Sequence, residues 1–320
     1  MTSTTASPSP AAPSLRGPFR LAIGVMVAMA ATVLKGALTT STGSGMAYPD
    51  WPLSNGQVMP ETSYTTVAGF LEHFHRLAAA TTGLLALALA LWLQFGFAGR
   101  VAGRALATAW IGGCLILAQG IIGGVGVLKN TPVLTSVTHG TLAQLVFATF
   151  ALLAYQLTDR YRTTVPLPGV APGTGRRIAV AAVVLMVVQT VLGAIGRHAN
   201  SGHAIWTHAG HALVVFFVAT IATAMAVGKL GAAPGIRTLS RWIVTLLMTQ
   251  IALGFVVLAV RNPKGKSEDN VDNLGVAFTI SMHVVIGAAL TVLLATLAAH
   301  VFRSTRRAGG GAPGVEEAFR

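Results

Sequence analysis

Of the chain's 320 residues, 53% are hydrophobic and only 10% are charged, whereas a soluble domain is about a quarter charged. That composition excludes a soluble globular protein. A formal charge of +13 invites a nucleic-acid partner, but the basic residues fall in short clusters between apolar runs, a pattern that reports membrane topology instead.

Residues 1–18, rich in Ser, Thr, Pro and Ala, are predicted to be disordered. Apolar segments long enough to span a bilayer, about 20 residues each, follow at 19–38, 70–94, 105–127, 133–157, 177–196, 203–227, 240–260 and 274–302. Barrel strands would be shorter and would alternate in polarity. Ala28-Met29-Ala30 resembles a signal cleavage site, yet the first span is long and carries a pattern repeated downstream, so it reads as a membrane helix. The expected fold is therefore an all-α integral membrane protein of eight transmembrane helices.

Between the first two spans lies an external loop of about 30 residues, long enough to suggest function. Gly43-Ser44-Gly45 and Tyr48-Pro49-Asp50-Trp51-Pro52 suit a compact lid, the competing reading being an interfacial anchor built on Trp51 and Tyr48. The connection at 158–177 is rich in Pro, Gly and Arg and falls at the midpoint. It divides the chain into an N-terminal four-helix bundle at 19–157 and a C-terminal one at 178–302, with a flexible tail at 303–320. The last external loop, from Arg261 to Asn270, is charged and polar. If the N-terminus is inside, 15 of the 22 basic residues lie on the cytoplasmic side, so both termini are expected there. A lone Cys114 excludes an intrachain disulfide and makes a thiolate metal site implausible.

An internal repeat carries the functional argument. Odd-numbered spans end in Thr32 with Gly36, Gln119 with Gly123, Gln189 with Gly193, and Gln250 with Gly254. Even-numbered spans begin with a histidine followed four residues later by a small residue: His75 and Ala79, His139 and Ala143, His208 and Ala212, His283 and Gly287. Four such hairpins predict two four-helix bundles related by a pseudo-twofold axis along the membrane normal. One histidine at a helix end has a bland use, hydrogen-bonding a loop carbonyl. Four at equivalent positions pair naturally, one pair per bundle, and two facing imidazoles with small residues one turn deeper suit a flat macrocycle held axially. Zinc or a dinuclear centre would want carboxylates or cysteines inside the bundle. His211 lies one turn from His208 and is an alternative ligand. His300 reads as structural, and His73, His198 and His203 fall outside the repeat.

The halves differ at Glu72-His73-Phe74-His75-Arg76. Only the first half has a carboxylate one turn before its histidine, where the second has Ile205, and only the first has the long loop. Charges at a bilayer boundary are expensive and mark functional sites. Glu72 could accept a proton or stabilise a cation beside a macrocycle, or it could pair with Arg76 at the surface.

Together, Gly43-Ser44-Gly45 leading to Pro49-Asp50-Trp51-Pro52, the Glu72-x-x-His75-Arg76 cluster, and His139, His208 and His283 resemble the haem A synthase family. The resemblance spans nearly the whole chain. It implies oxidation of a haem O methyl group to the formyl group of haem A, for use in terminal oxidases. It further implies that His75 and His139 coordinate the substrate haem, that Glu72 is the catalytic acidic residue, and that His208 (or His211) and His283 hold a haem b. Implied partners are a haem O synthase, an electron acceptor such as a quinone, and membrane lipid; the implied location is a prokaryotic plasma membrane. Family members with a cysteine pair in the first external loop differ here, where those neighbourhoods read Tyr48 and Ser54, which excludes a thiol relay in that loop. A non-catalytic di-haem cytochrome is the main rival. A transporter built from repeats is a second, and should show helices broken near the midplane.

Overall fold

The computed structural model describes residues 14–167, 170, 173–260 and 273–305. Among these residues there are ten α-helices: α1 (Arg16–Ser41), α2 (Thr62–Thr65), α3 (Val67–Leu91), α4 (Gly103–Leu128), α5 (Val133–Gln156), α6 (Asp159–Thr163), α7 (Gly173–His198), α8 (Gly202–Leu230), α9 (Ile236–Val260) and α10 (Leu274–Ser304). A single π turn at Trp92–Gly96 extends α3. All but α2 and α6 are long and apolar enough to cross a membrane. Their outward faces carry bare Leu84, Leu117, Phe217, Trp242 and Phe255, which only lipid can cover without cost. The protein is a multi-pass membrane protein, all-helical as its sequence predicts.

The helices outrun their hydropathic spans because end residues satisfy the terminal backbone groups. Thr66, Thr158, Ser201 and Asn273 each accept a backbone N–H from the first turn that follows them, opening α3, α6, α8 and α10. α1 begins at Arg16, inside the stretch expected to be disordered, because Pro18 falls in the first turn, where its missing N–H has no intrahelical partner to lose. At the other end α10 runs through Arg303 to Ser304, so the expected tail begins later. The tail beyond Thr305 and the loop from Arg261 lie outside the described residues.

Consecutive spans pack as hairpins: α1 with α3, α4 with α5, α7 with α8, α9 with α10. α3 meets α4 and α1 meets α5 in the first half; α8 meets α9 and α7 meets α10 in the second. Between halves, α5 packs on α10, α1 on α10, and α5 on α7. Two apolar clusters fill the interior. One lies among α1, α3, α4 and α5 with Ala288 and Val292 of α10, the other among α7 to α10. The midpoint connection is less free than its composition suggests: α6 lies within it, Arg303 Nε donates to the Tyr161 carbonyl at 3.0 Å, and the Leu167 N–H donates to the Ser304 carbonyl at 3.0 Å.

Polar ties cross between halves at three depths. Ser41 meets Ser281 at 3.2 Å, Tyr155 hydrogen-bonds His300 Nδ1, and buried Gln144 Oε1 accepts from Thr190 at 3.0 Å and Thr291 at 3.3 Å. The Tyr155 contact gives His300 the structural role its position suggests. Gln144→Leu removes the acceptor that Thr190 and Thr291 share across the interface, leaving each hydroxyl only the carbonyl one turn back, Met186 or Gly287, at a cost of about 1 kcal/mol. Thermal unfolding in detergent should show a lowered Tm; an unchanged Tm contradicts the tie.

Candidate functional site

Each glycine of the repeat is a seat for the histidine of the following helix. A Cβ placed on Gly36 would lie 2.7 Å from His75 Cε1, on Gly123 2.8 Å from His139 Cε1, on Gly193 2.9 Å from His208 Cε1, and on Gly254 3.3 Å from His283 Cε1. The Cε1 edge of each imidazole points at bare backbone; a side chain at Gly36, Gly123 or Gly193 would collide with it, and one at Gly254 would press tightly on it. The four-residue offset from Gln or Thr to Gly is thereby explained. The glutamine grips the same neighbour one turn away: Gln119 Nε2 donates to the His139 carbonyl and Gln189 Nε2 to the His208 carbonyl, both at 2.9 Å. Thr32 takes the position in α1 and meets Thr82 Oγ1 at 3.0 Å.

The first histidine of each half is also fixed in tautomer. His75 Nδ1 lies 3.1 Å from the Thr32 carbonyl and His208 Nδ1 3.0 Å from the Gln189 carbonyl. A carbonyl can only accept, so Nδ1 carries the proton and Nε2 keeps its lone pair, the state a metal ligand needs. The second histidine of each half, His139 or His283, has a buried Nδ1 without a partner, and the matching Gln119 and Gln250 have unpartnered Oε1 atoms. Two halves with unrelated loops thus share one polar arrangement.

His208 and His283 face each other with ring centroids 6.2 Å apart at 73°. Metal–imidazole bonds of about 2 Å on both sides, added to the distance from nitrogen to ring centre, give a separation of this size. Both rings line a cavity of about 800 Å³ that Ala212, Gly254 and Gly287 also line. Gln189 Nε2 and Gln250 Nε2 each lie 3.3 Å from the Nε2 of the adjacent histidine. His211 does not line the cavity; its Nδ1 meets Gln189 Oε1 at 2.7 Å, so it braces the glutamine. In the first half, His75 and His139 are near enough to interact electrostatically.

The loop before α3 is folded down onto Glu72 and Arg76. Glu72 is buried; its Oε2 accepts the Tyr48 N–H at 3.0 Å and its Oε1 pairs with Arg76. Arg76 donates to the carbonyls of Tyr48 at 2.9 Å, Asp50 at 2.8 Å and Leu53 at 2.5 Å. The pair is internal, not the surface pair weighed from the sequence. His73, absent from the repeat, is also buried, with Nδ1 3.0 Å from Ser54 Oγ and its ring edge-on to Tyr48. Beyond that, Asn55 and Gly56 turn the chain with φ of 52° and 70°, and their N–H groups donate to Asp50 at 2.7 and 2.8 Å. Trp51 reaches across to pack on Gly124 of α4. The segment is a compact lid joining α3 to α4 above His75 and His139. The Asn55-Gly56 turn was readable in the sequence; the roles of His73 and Arg76 were not, because they depend on where a distant loop lands.

Removing one partner of a buried ion pair costs about 3–5 kcal/mol. Arg76→Met should destabilise by that order in chemical or thermal unfolding, and Glu72→Gln by less, since the amide oxygen still accepts from Tyr48. Equal effects contradict the loop-anchoring role. The Gly56 N–H, helped by that of Asn55, holds the Asp50 carboxyl below its ordinary value near 3.8. A depressed carboxyl contributes order above its unfolded pKa and loses it as pH falls through the folded one. Asp50→Asn should therefore speed amide exchange at 54–57 at pH 7, and wild type should show the same loosening only below about pH 4.

Comparison with known proteins fits this arrangement. The family model described as "COX15-CtaA: Cytochrome oxidase assembly protein" matches residues 19–211. A "Heme A synthase" of Bacillus licheniformis is 31% identical over 134 residues, covering 42% of this chain and 43% of the relative. One from Exiguobacterium sibiricum is 26% identical over 185 residues, covering 56% and 59%. One from Rhizorhabdus wittichii is 28% identical over 315 residues, covering 78% and 88%. The chain thus spans about half the length of the first two relatives and most of the third. With the match to the family model covering more than half of its residues, the chain belongs to the COX15-CtaA family of cytochrome oxidase assembly proteins.

Proposed function

We propose that this chain is a haem A synthase of a prokaryotic plasma membrane, oxidising a methyl group of haem O to the formyl group of haem A. The observation that carries the reading is the opposed pair His208 and His283, seated on glycines with small residues beneath, on a cavity of about 800 Å³. A cofactor site of that size suits a macrocycle, and histidine is a usual axial ligand of haem iron. His208 and His283 would hold a resident haem b, which supplies one-electron redox chemistry when bound. His75 and His139, on equivalent seats, would hold the haem O substrate.

The remaining steps belong to the chain's own residues. Turning a methyl into a formyl group removes four electrons and, with the oxygen counted as water, four protons. The protons need an acceptor near the substrate, and Glu72 is the only carboxylate in the matching turn of either half. Arg76 balances its charge and draws the lid down, excluding water. The electrons need an exit, for which the second half is suited, lacking both Glu72 and the lid; a quinone is a fitting acceptor. Gln144, between α5, α7 and α10, joins the two halves along that route.

The same reading places both termini in the cytoplasm and brings haem O from a synthase or laterally from lipid. It also treats the bundles 19–157 and 178–302 as related by an approximate twofold axis. Contacts of α1 with α10 and of α7 with α5 exchange under such an axis, which supports it.

Expression with a haem O source, followed by extraction and chromatography of haems, tests the activity. Haem A or its hydroxylated precursor should accumulate, and Glu72→Ala should keep bound haem but lose conversion by about 100-fold or more. Folded, haem-loaded protein that makes neither product overturns the reading. Normal turnover by Glu72→Ala removes Glu72 from it.

A further inference from the structure

Arg197 lies in the last turn of α7, one turn beyond Gly193 toward the loops, and the repeat does not explain it. Four residues after Gly193, it corresponds to Thr40 after Gly36 in the first half, so the cation belongs to the second half alone. Its Nη2 donates to the Ala37 carbonyl at 2.9 Å and to Ser41 Oγ at 2.6 Å. Both partners are neutral. Among the described residues the ion pairs are Glu72–Arg76 and Asp159–Arg162, and neither involves Arg197.

A guanidinium at membrane depth with no anion beside it among the described residues is costly, and such residues mark ligand sites. Arg197 is half-buried and lines the same cavity as His208 and His283. It also lies close enough to His283 to act on it electrostatically. The rest of the lining sorts by depth. Met186, Leu247 and Leu290 line the inner end; Arg197, His198 and Asn273 line the end nearest the loops.

We propose that Arg197 binds the carboxylate of the macrocycle held by His208 and His283, that is, a propionate of the resident haem, and so fixes its orientation with the acid edge toward the loops. The inference rests on the haem reading above and adds the residue that orients the ring. A fork of N–H donors matches a carboxylate in geometry and charge. The bonds to Ala37 and Ser41 engage one nitrogen, Nη2, and hold the guanidinium in place at the junction of α1 and α7. The same positive charge beside the ring should favour the reduced, more negative haem and raise its potential.

The test compares two probes on the full chain in detergent: protohaem and its dimethyl ester, which lacks the carboxylate charges. The site is the absorbance change lost in His283→Ala. Wild type should bind the acid at least about tenfold more tightly than the ester, and Arg197→Gln should bind both alike, with a lower midpoint potential than wild type. Arg197→Lys should recover part of the preference. The wild-type comparison of acid and ester stands even if a variant folds poorly. Equal binding of acid and ester by wild type, or an undiminished preference in Arg197→Gln, overturns this inference and leaves the haem reading intact. Absence of any haem spectrum in folded wild type overturns both.

Discussion

An imidazole edge set on bare helix backbone is the contact on which this architecture depends. Four times an imidazole from one helix covers a glycine on the helix before it, so that a Cβ would collide with it at Gly36, Gly123 and Gly193 and press tightly on it at Gly254. The contact draws the two helices of each hairpin together and points the histidine's far nitrogen inward. In water such a contact would be one packing choice among many. In lipid, where no hydrophobic drive holds helices together, small residues and interhelical hydrogen bonds do most of the work. The same residues that position the four histidines therefore also hold the bundle together.

From that shared device the halves diverge. The first spends its boundary charges on a lid. Glu72 and Arg76 gather the backbone of Tyr48, Asp50 and Leu53, while His73 fixes Ser54 and Trp51 spans to α4. The second has a three-residue connection from Ala199 to Ser201, no carboxylate beside its histidine, and a cation at the cavity it shares with α1. One half carries a buried ion pair under a folded loop; the other carries a cavity lined by two histidines and a cation. α10, packed on α1, α5, α7, α8 and α9, is the element through which either half can feel the other.

Much of this was legible in the sequence. Eight spans, the hairpin repeat and the four histidines follow from hydropathy and spacing, because lipid forces long apolar helices and a repeated contact leaves a repeated pattern. Ala212, four residues on, already favoured His208 over His211 in the sequence, and the coordinates show how the two rings differ. Both lie on one face of α8, and only the placement of Gly193 and Gln189 separates the ring that faces His283 from the one that braces a side chain. Arg197 read as one more basic residue in a short loop, since nothing in its neighbours reveals that it turns inward to meet Ala37 and Ser41. Likewise a surface pair for Glu72 and Arg76 stayed open as the competing reading, because the residues that bury it, Tyr48 to Leu53, lie some twenty positions earlier in the chain.

The central claim is that each bundle holds one haem between two seated histidines. Electron paramagnetic resonance of the purified oxidised protein, with haem quantified per chain, tests it most directly. The account predicts two low-spin ferric signals of bis-imidazole type at a stoichiometry approaching two haems per chain when substrate is supplied. High-spin haem only, or folded protein with no haem in either half, would contradict it.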